Sequence, residues 1–91
     1  MKITIKDKEI ELKNTLRSMI MYENIAEKSF NPETVTDIIT YMYCVVVASS
    51  NDYTLTFDEF INYVDENPTI FDEFGQWLTS ITASNNAVKK N

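Results

Sequence analysis

The stretch Pro32–Ser50, "PETVTDIITYMYCVVVASS", decides what kind of fold this chain can adopt. Its middle, Ile38 to Ala48, is almost unbroken apolar sequence, interrupted by Thr40. A bilayer-crossing helix needs about 20 apolar residues, so the run is too short to span a membrane and reads as a buried helix. Val35, Ile38, Ile39, Met42, Val45 and Val46 recur with helical period and form its inward stripe. Past residue 40 the other faces turn apolar too, through Tyr41, Tyr43, Cys44, Val47 and Ala48. A helix apolar on all sides is either enclosed by its own chain or in contact with another. Asn31 is the expected cap, Pro32 takes the first helical position, and Glu33 suits the positive end of the helix. The spacing predicts a helix over 32–50.

Upstream, "KITIKDKEIELK" alternates. Ile3 and Ile5, then Ile10 and Leu12, point one way, with Lys2, Thr4, Lys6, Glu9 and Glu11 pointing the other. The alternation breaks at Asp7-Lys8, so residues 2–13 read as a β-hairpin with one apolar face. An isolated hairpin is barely stable in water; its apolar face must rest on the helices. A helix follows over 15–28, capped by Asn14 or Thr15. Leu16, Met19, Ile20 and Ala26 are its expected inner stripe, and Met21 and Ile25 fall on nearly the opposite side.

Downstream, "TFDEFINYVDEN" predicts a helix over 56–67 with Phe57, Phe60, Ile61 and Val64 on one face. Asn67-Pro68 ends it and opens the next, over 68–82, because the residue before proline avoids helical geometry. That last helix carries Ile70, Phe74, Trp77, Leu78 and Ile81 on one face. Gly75 lies inside it and hints at close packing or a bend. Residues 84–91 show no period and are expected to fray. The whole is one domain over 1–83, α+β and mainly α: an N-terminal β-hairpin packed on a bundle of about four helices.

The 91 residues carry a formal charge of −6, unevenly placed. Residues 31–88 contain nine acidic side chains and no basic one. Such a surface repels nucleic-acid backbones and anionic membranes and suits a basic protein partner. Met1-Lys2 runs straight into a charged alternating segment, so no signal peptide is expected and the compartment reads as cytoplasmic. Cys44 is alone in an apolar run, which leaves no internal disulfide and no cysteine-based zinc site.

The chemistry of catalysis is thin. There is no His, the commonest general base, and one Gly cannot build a phosphate loop. "NDYTLTFDEF", 51–60, resembles the second half of an EF-hand loop. With Glu59 at position twelve, however, position one becomes Ala48 and the glycine position becomes Tyr53. Helix chemistry covers the same residues: Thr56 caps, Glu59 closes a capping box, and Leu55 staples onto Phe60. No catalytic, cofactor or metal residue is assigned. Because a small domain has little protein with which to enclose so much apolar helix, Met21, Ile25, Tyr41, Tyr43 and Val47 are the expected partner-binding surface.

The order of parts carries a resemblance. A hairpin "KITIKDKEIELK", a helix "TLRSMIMYENIAEK", a long apolar helix and then "LTFDEFINYVDE" resemble the small tail assembly chaperones of long-tailed bacteriophages and prophages, over roughly residues 2–80. The resemblance implies a non-enzymatic protein of the bacterial host cytoplasm that self-associates. Its implied partners are the tape measure protein, which it would hold soluble, and the tail-tube protein. A different reading of the same charge pattern is a small acidic adaptor, or a nucleic-acid mimic that inhibits a basic protein.

Overall fold

The computed structural model describes the backbone of residues 1–89 and the side chains of residues 1–81. Two strands, β1 (Lys2–Ile5) and β2 (Lys8–Glu11), precede four helices: α1 (Leu16–Ala26), α2 (Val35–Ser50), α3 (Phe57–Glu66) and α4 (Pro68–Lys89). The strands pair antiparallel with Ile3 opposite Ile10. Ile3, Ile5, Ile10 and Leu12 are all buried, so the alternation does place one face inward. The turn itself lies one residue earlier than the expected break. Lys6 and Asp7 are its two central residues, both with positive φ (51° and 64°), the signature of a tight type I′ hairpin turn.

The central helix is enclosed by its own chain. Tyr41, Met42, Cys44, Val45, Val46 and Val47 are all buried. The hairpin and α1 cover α2 from the N-terminal side of the sequence, and α3 and α4 from the other. Burying each of Met42, Val45, Val46 and Val47 contributes on the order of 1.5–3 kcal/mol. The shell is tied to α2 by polar links as well. The Lys13 N–H donates to Ser49 Oγ at 2.9 Å, and the Tyr43 hydroxyl donates to the Leu55 carbonyl.

Each of the first three helices starts at a threonine with a full capping box. The partners are Thr15 with Ser18, Thr34 with Asp37, and Thr56 with Glu59. A capping residue accepts from the third helical N–H while that residue's side chain reaches back, satisfying two otherwise orphaned donors. The third box is the one expected, with Leu55 and Phe60 both buried beside it. The second corrects the start of α2. The helix begins three residues after Pro32, because Asp37 can reach back to Thr34, whereas nothing comparable follows Asn31. Val35 therefore sits in the first turn, 70% exposed, rather than in the inward stripe.

Helix α1 is rotated from its expected setting. Ser18 and Tyr22, one turn apart, are the buried residues. Leu16 (72% exposed) and Ile20 (51%) face out. Hydropathy misplaces this helix because two polar side chains occupy the inner face. The Ser18 hydroxyl donates to the Thr15 carbonyl at 2.7 Å and lies 3.3 Å from the Tyr41 hydroxyl, which donates to Asn14 Oδ1. Ser18 is tolerated there because its hydroxyl is bonded.

Helix α4 continues to Lys89, past the point where fraying was expected at 84; residues 90 and 91 lie outside the described residues. No Gly or Pro follows Gly75 in it, and propagation of an existing helix needs only the absence of a breaker. Among the described residues, a Cβ placed at Gly75 would meet no atom within 4 Å outside its own neighbours and helix backbone. Close packing is not its reason.

Candidate protein-binding surfaces

The five residues expected to form a contact surface do not share one. Tyr41 and Val47 are enclosed in the core, which corrects their assignment: the chain's own elements cover α2 from Tyr41 to Val47, with Tyr43 half-buried. Tyr43 and Met21 are half-buried and pack against that core. Ile25 alone is substantially open, at 51%. Two other surfaces group apolar side chains in the open.

The first is an open groove of about 1120 Å³ between the loop joining α1 to α2 and the side of α4. Phe30, Pro32 and Ile38 make one wall, and Phe71, Gly75 and Leu78 the other. Asp72, Gln76 and Thr79 run alongside on the next row of α4. The sequence reading missed it. Its signal was Gly75 set in an otherwise unbroken helix, together with Phe71 at the edge of the α4 stripe.

The loop wall is held in place from several directions. Phe30 stacks on the core, with ring centroids 4.7 Å from Tyr41 and 5.5 Å, edge to face, from Tyr22. Its N–H donates to Glu23 Oε2 at 2.7 Å. Asp37 Oδ2 accepts from Lys28 Nζ at 2.8 Å and from the Glu33 and Thr34 N–H groups at 3.1 and 3.2 Å. The Lys28 ammonium, followed by those backbone donors, holds the Asp37 carboxyl far below the usual carboxylate range. The Tyr22 hydroxyl is buried close to this pair, yet among the described residues no group meets it at hydrogen-bond geometry. Burial, then the Asp37 charge, pushes its pKa up.

The second surface is the outward stripe of α1, Leu16 and Ile20, one turn apart. Arg17, Glu23, Asn24 and Glu27 lie exposed around it. An apolar pair framed by charges is small beside the groove, but it is on a different part of the molecule.

The acidic half of the chain is occupied by structure at several points. Glu59 accepts from the Thr56 N–H and pairs with Lys6 Nζ at 2.9 Å, joining the hairpin turn to α3. Asp52 Oδ1 accepts from the Thr54 N–H at 3.0 Å and from its hydroxyl. The two best carboxylates of the EF-hand-like string are thus turned to their own backbone and to Lys6. Among the described residues, no group of three or more His, Cys, Asp or Glu is placed to hold a metal ion. The Cys44 thiol is buried, which pushes its pKa up to about 12 and keeps it a small apolar side chain. Among the described residues, no helix is long and apolar enough to cross a membrane.

The chain matches no family model, no curated protein and no solved structure.

Proposed function

We propose that this is a non-enzymatic assembly chaperone of the kind that serves bacteriophage and prophage tails. It acts in the host cytoplasm, associates with itself, and binds the tape measure protein, along with tail-tube subunits, during tail assembly. The reading is carried by one observation: a small acidic domain whose core is complete still leaves two separate apolar surfaces open, the groove beside α4 and the stripe on α1. A protein that must hold both a client and a copy of itself needs two such surfaces. The order of hairpin, helix, enclosed apolar helix and short acidic helix supports the same reading through the resemblance.

The test is co-expression with a long helical tape measure protein encoded beside it. The client should move from the insoluble to the soluble fraction and co-purify with this chain through a high-salt wash. Apolar contacts survive salt, whereas contacts made by surface charge are screened away. A client that stays insoluble would overturn the reading. Capture of a basic protein that is released by moderate salt would instead favour the acidic adaptor, for which the run of nine acids without a base is the motive.

A further inference from the structure

We infer that the groove between α4 and the α1–α2 loop is the seat for a single amphipathic helix of another protein, one with lysine or arginine along the flank that meets Asp72. This deepens the partner-binding reading and rests on it.

The shape points to a helix. Phe71, Gly75 and Leu78 repeat at helical spacing, as do Asp72, Gln76 and Thr79, so two adjacent rows of one helix face line the groove. From Phe71 to Ser80 the face runs about 13 Å at 1.5 Å per residue, between two and three turns. Helices pack by setting the side chains of one into gaps between rows of the other. Gly75 is such a gap, flanked by Phe71 and Leu78. The place a Cβ would take there is open: among the described residues, nothing outside the glycine's own neighbours and helix backbone comes within 4 Å. A glycine inside a helix is up to about 1 kcal/mol less favourable than alanine. No contact within the chain offsets that cost, and the gap opens into the groove. An incoming side chain fits it.

Charge narrows the occupant. Asp72 lines the groove, and Glu33 is exposed next to Pro32 on the opposite wall. Lys28, beside the loop wall, is paired with Asp37, and residues 31–88 offer no lysine or arginine to balance them. Among the described residues, Asp72 makes no ion pair. A helix with a basic flank is drawn to this groove, and one with an acidic flank is repelled.

A second copy of the chain is a poor occupant. Its own α3 and α4 are acidic, its α1 mixes Arg17 with Glu23 and Glu27, and most of its lysines lie on a hairpin whose apolar face is already buried. The loop wall is also fixed before any partner arrives, through Phe30 and the Asp37–Lys28 pair. Little ordering remains to be done on binding, which favours affinity.

The experiment uses two synthetic helices of about 18 residues, the length of five turns. They share a leucine face and differ only in carrying lysine or glutamate along one flank. Binding to the full chain is read by calorimetry, with sedimentation of the protein alone. The lysine peptide should bind one to one and the glutamate peptide should not. Gly75→Leu fills the gap and should weaken the lysine peptide by at least about tenfold, the scale of one well-packed anchor. Asp72→Lys should reverse the preference between the two peptides. Both substitutions lie on an open helix face, and circular dichroism checks that each variant is folded. Lysine-peptide binding that Gly75→Leu leaves unchanged would overturn the groove as the seat. So would self-association that Gly75→Leu abolishes, since the occupant would then be a second copy. The partner-binding reading is scored separately. If Gly75→Leu still solubilises the long helical client but charging Leu16 and Ile20 prevents it, the groove inference falls and the chaperone reading stands.

Discussion

Two tyrosines in the same core, changed in the same way, should move stability in opposite directions. Tyr22 and Tyr41 are both fully buried, with rings 5.9 Å apart and edge to face. The Tyr41 hydroxyl donates to Asn14 Oδ1 and touches Ser18 Oγ. Among the described residues, the Tyr22 hydroxyl lies close to Asp37 and Lys28 but has no partner at hydrogen-bond geometry. Removing a bonded hydroxyl loses a bond worth about 1 kcal/mol net, and a little more where the partner is left unpaired. Asn14 is half-exposed and Ser18 keeps its bond to Thr15, so Tyr41→Phe should cost about 1–1.5 kcal/mol. An unpaired buried polar group already carries a desolvation cost of about 1–3 kcal/mol, which Tyr22→Phe recovers. The neighbouring Asp37 carboxylate still favours the hydroxyl proton, so the lower end of that range, about 1 kcal/mol of gain, is expected. With a urea slope of about 1 kcal/mol per molar for a small domain, the two midpoints should separate by about 2 M, with wild type between them. A Tyr22→Phe variant that melts at lower urea than wild type would falsify the reasoning, because the hydroxyl would then have a partner.

Four further outcomes are expected. Val47→Asp buries a charge in the filled core and should cost about 4 kcal/mol or more, unfolding the domain rather than blocking an interface. Ile20→Asp, on the open stripe of α1, should change the melting curve by no more than about 0.5 kcal/mol while reducing self-association in sedimentation. The carboxyl of Asp37 is depressed by Lys28 and two backbone donors, so it contributes stability above the ordinary value of 3.8 that is lost as pH falls below it. Melting curves of Asp37→Asn across acidic pH should therefore show a weaker acid dependence than wild type, and an unchanged slope would show that the pair contributes nothing. Asp7→Gly should raise the melting temperature, since glycine takes positive φ without the steric cost an L side chain meets there, about 1 kcal/mol. A lower one would mean that the Asp7 side chain stabilises the turn.

The elements and their order were legible because each rests on a local signal. Alternation places the hairpin, Thr56 with Glu59 starts α3, and Asn67-Pro68 separates α3 from α4. What hydropathy misplaced depends on partners distant in sequence. Ser18 and Tyr22 face inward because Tyr41, 23 positions on from Ser18, meets them across α2. Leu16 and Ile20, the more apolar pair, are left outside by that choice. The proposed contact set failed for a related reason. Whether Tyr41 and Val47 are interface or core depends on how much cover the hairpin, Phe60 and Phe74 supply, and composition alone understated it. The groove was nearly invisible, since it is a space between a loop and a helix, and its sequence trace is one glycine.

The enclosure of α2 also bears on how the chain folds. Its cover comes from both sides of the sequence, and Phe60 and Phe74, on the C-terminal side, are fully buried against the shared core. Until Phe60 and Phe74 dock, Tyr41 through Val47 has only half its wrapping, and a partly folded chain exposes its most apolar segment. Such a partly docked state, rather than the finished fold, is the aggregation-prone form of this protein.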